Sequence, residues 1–395
     1  MRMLRALALS SALVSVLSLP LRAEIEAQQP FEMVRTLQML QEGIARGNTS
    51  ASAVQRKLVT YMAGRFLAME RDIWKEPRNV SAVIVYVLSG GDPKTLKSLV
   101  DRGDIPDGRL ELAKGALAYA EGRKAEALAL LGKIDARDLT PSLAGHVALV
   151  QSTLVSDEQP KKAIPYLQLA RLLMPGTLVE EAALRRQCLI LAHDGDLEGF
   201  ERLARQYMDR FGRSLYAETF REQFATTVVR LDYSSGPGRL SQLRNAIDRL
   251  PLEEQRELYL RIARLAVAAG AQRIADFAST EAERVSDKAS VEDARARLYS
   301  AAIGIVGDRY EESLRTLRGM DAARLDHTDA RLLEQSLKLA TEIRRPPAPA
   351  STSAPSPLLH ARKAADNDAE AAPPAVLRAR EAMTRAETLL KEIEP

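Results

Sequence analysis

The chain has a single cysteine in 395 residues, Cys188, so no intramolecular disulfide can form. Aromatic residues make up only 5%, which disfavours a β-sandwich or barrel. Blocks of like charge are missing: 56 basic and 53 acidic residues are mixed along the chain, for a net charge of +3. No basic run carries interleaved aromatics, which argues against nucleic-acid binding. Histidine is scarce, and His146, His193, His327 and His360 each lack a neighbouring metal-type ligand at zinc spacing. Neither a G-x-S-x-G elbow nor an H-E-x-x-H helix occurs. The adjacent carboxylates Glu180-Glu181 and Glu253-Glu254 fall near helix N-termini, where negative charge is favourable. These absences predict a non-catalytic protein that needs no cofactor, metal or small-molecule substrate.

What is present points to helices. Hydrophobic residues reach 46%, with Ala and Leu prominent, and Arg and Glu supply much of the charge. Between His146 and Phe211, Ala163, Leu167, Ala170 and Pro175 show the spacing A-x3-L-x2-A-x4-P. Small residues allow one helix to cross another closely, and the proline closes the unit. Thr177 and Glu180 then have the spacing of a capping box. Ala183, Leu184, Cys188 and Leu191 follow on one face, and Cys188 reads as a small buried hydrophobe. A turn at Gly195 leads to Phe200, Leu203, Ala204 and Tyr207. Gly122 precedes Ala127 by the same interval as Gly195 precedes Phe200, Gly270 precedes Ala275 and Gly307 precedes Glu312. The expectation is an all-α fold of helical hairpins stacked as a degenerate tetratricopeptide-like solenoid, with a disordered C-terminal tail.

Local signals refine this. Phe31, Val34, Leu37, Leu40 and Ile44 mark a first helix ended by Gly47-Asn48. Ser50 or Ser52 can cap a second, with Val54, Leu58, Tyr61 or Met62, and Phe66 facing inward. The run VSAVIVYVL over 80–88 is β-branched enough for a strand, but helix suits its neighbours better. The following SGGDPK lacks the G-x4-G-K-[ST] spacing of a phosphate loop. Gly90 reads instead as a helix stop, Asp92 as the next cap and Pro93 as its first residue.

Arg2, Arg5 and the apolar run Ala6–Leu19 resemble a secretory signal, with cleavage expected after Ala23 although Leu21 is atypical at −3. That run is too short to span a bilayer as a helix, and no other segment qualifies. The expected organisation is a signal peptide over 1–23 and helical-repeat halves over 24–233 and 239–345, separated by the Ser-Gly-Pro loop at 234–238. A disordered Pro/Ala-rich linker over 346–375 and a short amphipathic helix over 376–394 follow. In that helix Val376, Ala379, Met383, Ala386, Leu390 and Ile393 form a heptad seam.

Two stretches, VSAVIVYVLSGGDPK over 80–94 and IPYLQLARLLMPGTLVEEAALRRQ over 164–187, resemble the MotC family. These are periplasmic motility proteins of the flagellar motor in rhizobia and related α-proteobacteria. The resemblance implies a periplasmic, non-catalytic role in flagellar rotation. It also implies binding to the periplasmic part of the stator protein MotB, guiding that protein's folding, targeting or activity. No binding residues carry over, but Tyr166, Arg171, Arg185 and Arg186 lie in the better-matched stretch and are candidate contacts, against the plainer reading of solvated helix-surface arginines. The alternative is a tetratricopeptide-type scaffold in envelope or polysaccharide-export assembly.

Overall fold

The computed structural model describes residues 28–231, 236 and 238–344. The expected signal peptide, linker and tail helix lie outside them. The described residues contain seventeen α-helices, three short 3-10 turns and no strand. In chain order the helices are α1 (Pro30–Ala45), α2 (Thr49–Ala68), α3 (Pro77–Leu88), α4 (Pro93–Asp101), α5 (Asp107–Ala120) and α6 (Lys124–Leu131). Next come α7 (Pro141–Ser156), α8 (Pro160–Leu173), α9 (Leu178–His193), α10 (Leu197–Phe211), α11 (Ala217–Arg230) and α12 (Arg239–Ile247). The series ends with α13 (Leu252–Ala269), α14 (Gln272–Arg284), α15 (Val291–Gly304), α16 (Tyr310–Arg318) and α17 (His327–Ile343). The described residues up to Glu342 belong to one compact unit. None of the described helices is long and apolar enough to cross a membrane.

Within that unit most helices pack on their sequence neighbours: α7 on α8, α8 on α9, α9 on α10, α13 on α14 and α14 on α15. This is the stacked-hairpin pattern that the spacing predicted. Three of its four glycine turns match. Gly122, Gly195 and Gly270 adopt φ of +76, +81 and +68°, and the residue after each donates its N–H back to Ala118, Leu191 and Ala266. Each turn delivers Ala127, Phe200 or Ala275 into the core. The fourth differs. Gly307 is outside the left-handed region and Glu312 is exposed, so Ser313 takes the buried place.

The β-branched run at 80–88 is helical because α3 is enclosed on nearly every side. Val80, Ala82, Val83, Ile84, Val85, Tyr86 and Val87 are all buried, against α1, α4, α5 and α7. A helix apolar all round belongs at a centre. Gly90 and Asp92 act as predicted: Gly90 has φ of +91° and Asp92 accepts the Lys94 N–H at 2.9 Å. Two local expectations change. Asn48, rather than Ser50 or Ser52, caps α2 by accepting the Ala51 N–H at 3.2 Å. Val54 and Tyr61 face outward, leaving Ala51, Met62 and Phe66 as the buried face.

The buried apolar residues form two clusters that meet inside α9. Val179 and Ala183 belong to the first, and Leu184, Cys188 and Leu191 to the second. Val228 of α11 and Leu243 of α12, on either side of the 234–238 loop, share the second cluster. Like α3, the first helix reaches well beyond its sequence neighbours. Helix α1 packs on α3 and α9, and Gln38 donates to the Ser142 hydroxyl of α7 at 2.5 Å. Ala45, at its end, joins the second cluster.

Candidate partner-binding surface

Helix α8 presents two chemically different sides. Ala163, Leu167 and Ala170 are fully buried, as their spacing requires. Tyr166, Leu169 and Leu172 instead border a cavity of about 620 Å3, closed on the other side by the loop after α6 with Ile134 and Arg137. Leu172 is 76% exposed, a large apolar side chain open to solvent at this edge.

The opposite wall is fixed from within. Gln151 is buried in α7 and donates to the Leu131 and Ile134 carbonyls, both at 2.8 Å. Asp135 accepts the Arg137 backbone N–H at 2.9 Å and pairs with its guanidinium. Those bonds to Arg137 hold the Asp135 carboxyl down to about 2. An apolar strip between Tyr166 and Leu172 therefore faces a preformed wall, suited to receiving a protein surface.

The arginines are elsewhere. Arg171, half-buried, donates to Gln187 of α9 at 2.6 Å and to Gln206 of α10 at 2.7 Å. Burial lowers its pKa from the usual range. Arg185 lies 3.9 Å from Glu181 and 5.4 Å from the Tyr216 ring centre. Arg186 donates to the Thr153 hydroxyl of α7. Thus Tyr166 lines the cavity, Arg171 and Arg185 lie in the polar layer joining α8, α9 and α10, and Arg186 ties α9 to α7. These four residues do not form one patch; Arg171 and Arg186 are hydrogen-bonded internally, and Arg185 sits against Glu181 and the Tyr216 ring without a hydrogen bond.

That layer contains groups whose depth the sequence did not reveal. Glu180 and Glu181 are 2% and 1% exposed. Thr177 caps α9, but Glu180 does not return to the Thr177 N–H. It accepts the Gly176 N–H at 2.6 Å and pairs with Arg210. Glu181 accepts the Tyr207 hydroxyl at 2.6 Å; burial raises its pKa, and the Tyr207 bond partly offsets that. Burial likewise raises the Cys188 thiol, whose Sγ lies 3.6 Å from the Phe200 carbonyl. It is the small hydrophobe expected, not a nucleophile. Among the described residues no group of His, Cys, Asp or Glu is arranged to hold a metal ion.

The profile of the family described as "Chemotaxis protein MotC" matches residues 1–395. The chain is similar to the chemotaxis protein MotC of Rhizobium meliloti (strain 1021), with 31% identity over 352 residues, covering 88% of this chain and 80% of that protein. No solved structure matches it.

Proposed function

Since the chain belongs to the MotC family of chemotaxis proteins, we propose that it is a non-catalytic periplasmic component of the flagellar motor. In this reading it binds the periplasmic part of the stator protein MotB and guides its folding, targeting or activity, and so serves flagellar rotation. The family match along the whole chain carries the proposal. The basic-then-apolar N-terminus supports export. Stacked helices with a half-open apolar cavity along α8 suit a protein partner. We assign the first contact to the Tyr166–Leu172 strip, with the arginines behind it holding α8, α9 and α10 in register.

A pull-down tests this directly. Residues 24–395 and 24–344 are each presented to the purified periplasmic part of the matching MotB. Retention of both supports the motor role and puts binding on the helices, and retention of the longer chain alone puts it in the tail. Failure of both at micromolar concentration removes the stator partnership and favours the envelope-assembly scaffold. Leu172→Glu is expected to weaken retention about tenfold, the loss of one well-buried apolar anchor.

A further inference from the structure

A second cavity, of about 450 Å3, lies between α1, α3, α5 and α7. That size falls within the range of ligand-holding pockets, about 300–1,000 Å3. Its floor is apolar, from Val34, Ala82, Val85 and Leu143. Around it stand Arg35, Arg78 and Arg109, each from a different helix, and its lining contains no carboxylate. Arg78 stacks on Phe31 at 3.9 Å from the ring centre, but its guanidinium has no acidic partner among the described residues. The Arg35 and Arg109 side chains make no hydrogen bond or ion pair with any described residue. Elsewhere among the described residues each buried carboxylate is matched to its own basic group, which leaves these three guanidiniums available.

The backbone adds to the same field. Phe31, Arg78, Arg109 and Ser142 all lie in the first turns of their helices. Glu32, Glu76 and Asp107 already stand at the starts of α1, α3 and α5, so of these four ends α7 alone presents its positive end without an acid. The Thr140 side chain makes no capping bond at the start of α7, which leaves first-turn N–H groups of that helix without a side-chain acceptor.

We propose that this cavity is a docking site for an acidic protein segment that carries one large apolar side chain. The apolar side chain fills the floor, and flanking carboxylates meet Arg35, Arg78 and Arg109. Because the cations come from three helices, the site suits several carboxylates spread along an extended chain. Arg35 and Arg78 are exposed, so pairing costs them little desolvation. The inference rests on this cavity alone and does not depend on the stator partnership.

The test uses the purified full chain and a dye-labelled Glu-Glu-Leu-Phe-Glu-Glu peptide, read by fluorescence anisotropy. Binding is expected, and expected to weaken about tenfold when the peptide's glutamates become glutamines. Arg35→Ala with Arg109→Ala should cause a similar or larger loss, and neither change removes an internal bond. The exposed pair Arg202→Ala with Arg205→Ala removes the same net charge and should leave binding unchanged. Equal losses from both double variants would reduce the effect to net charge and overturn the site. So would absence of peptide binding, or equal binding of the glutamine peptide. Vesicles of phosphatidylglycerol form a further arm. If they, and not the peptide, bind through Arg35 and Arg109, the occupant is a membrane surface and the proposal fails.

Discussion

His146 is held through both ring nitrogens. Nδ1 lies 2.7 Å from the Ser142 carbonyl, which can only accept, so Nδ1 carries the proton. Nε2 then accepts from the Ser89 hydroxyl at 3.1 Å. Burial lowers the pKa of this ring from its ordinary 6.5, so the folded chain prefers it neutral. Above pH 6.5 the ring is neutral folded or unfolded and costs nothing. As pH falls through that value the unfolded chain takes up a proton that the folded chain resists, and stability is lost until the lower folded pKa is passed. His146→Gln is therefore expected to flatten the curve of urea midpoint against pH in that window; parallel curves for the two proteins would refute the assignment. Arg171 gives a second test. Arg171→Ala strands two acceptors, Gln187 and Gln206, and should cost about 1–3 kcal/mol in urea denaturation. The sequence could place Ala163, Leu167 and Ala170 inward because helix crossings repeat at fixed intervals. It could not place Arg171 or Arg186, because the acceptors that bury them come from other helices and have no fixed spacing.

Close helix crossings here are made by glycine as much as by alanine. A Cβ on Gly115 of α5 would stand 2.7 Å from Leu131 and 3.1 Å from Leu130 Cβ of α6. Gly115→Ala is expected to destabilise by about 1–3 kcal/mol through overpacking. Gly64, inside α2, has nothing within 4 Å of where a methyl group would stand, and Gly64→Ala should stabilise by about 0.5–1 kcal/mol. Thermal midpoints moving in opposite directions would check both. At this scale the sequence was most legible where a turn has its own chemistry, as at Gly122, Gly195 and Gly270. It was least legible where a helix carries an outward apolar stripe. Val54 and Tyr61 repeat at helical spacing, yet α2 buries Ala51, Met62 and Phe66 instead.

Seven carboxylates are buried among the described residues: Asp104, Glu180, Glu181, Glu201, Glu281, Asp293 and Asp329. All have a basic partner, such as Arg71 on Asp104 at 2.6 Å, Arg239 on Glu201 at 2.6 Å and Arg295 on Asp329 at 2.9 Å. Several of these pairs join one hairpin to the next, so they fix the alignment of successive layers more than they add stability. The sole tryptophan, Trp74, is fully buried in the first apolar cluster, and the sole cysteine, Cys188, in the second. Each cluster thus carries a native reporter. Because α9 contributes to both, Trp74 emission and Cys188 labelling are expected to report the same urea midpoint. Separate midpoints would mean that α9 does not couple the clusters.

Helix α1 bears on the order of events in time. Its Gln38 meets Ser142 across 104 residues, and a Cβ on Gly47 would stand 2.6 Å from the Arg213 carbonyl. Chains are made from the N-terminus onward, and α1 cannot reach those partners until α7 and the turn beyond α10 have been synthesised. The first described helix to be made can settle early on α2 and α3, but the part of its surface that meets α7 and α9 stays uncovered until those helices exist.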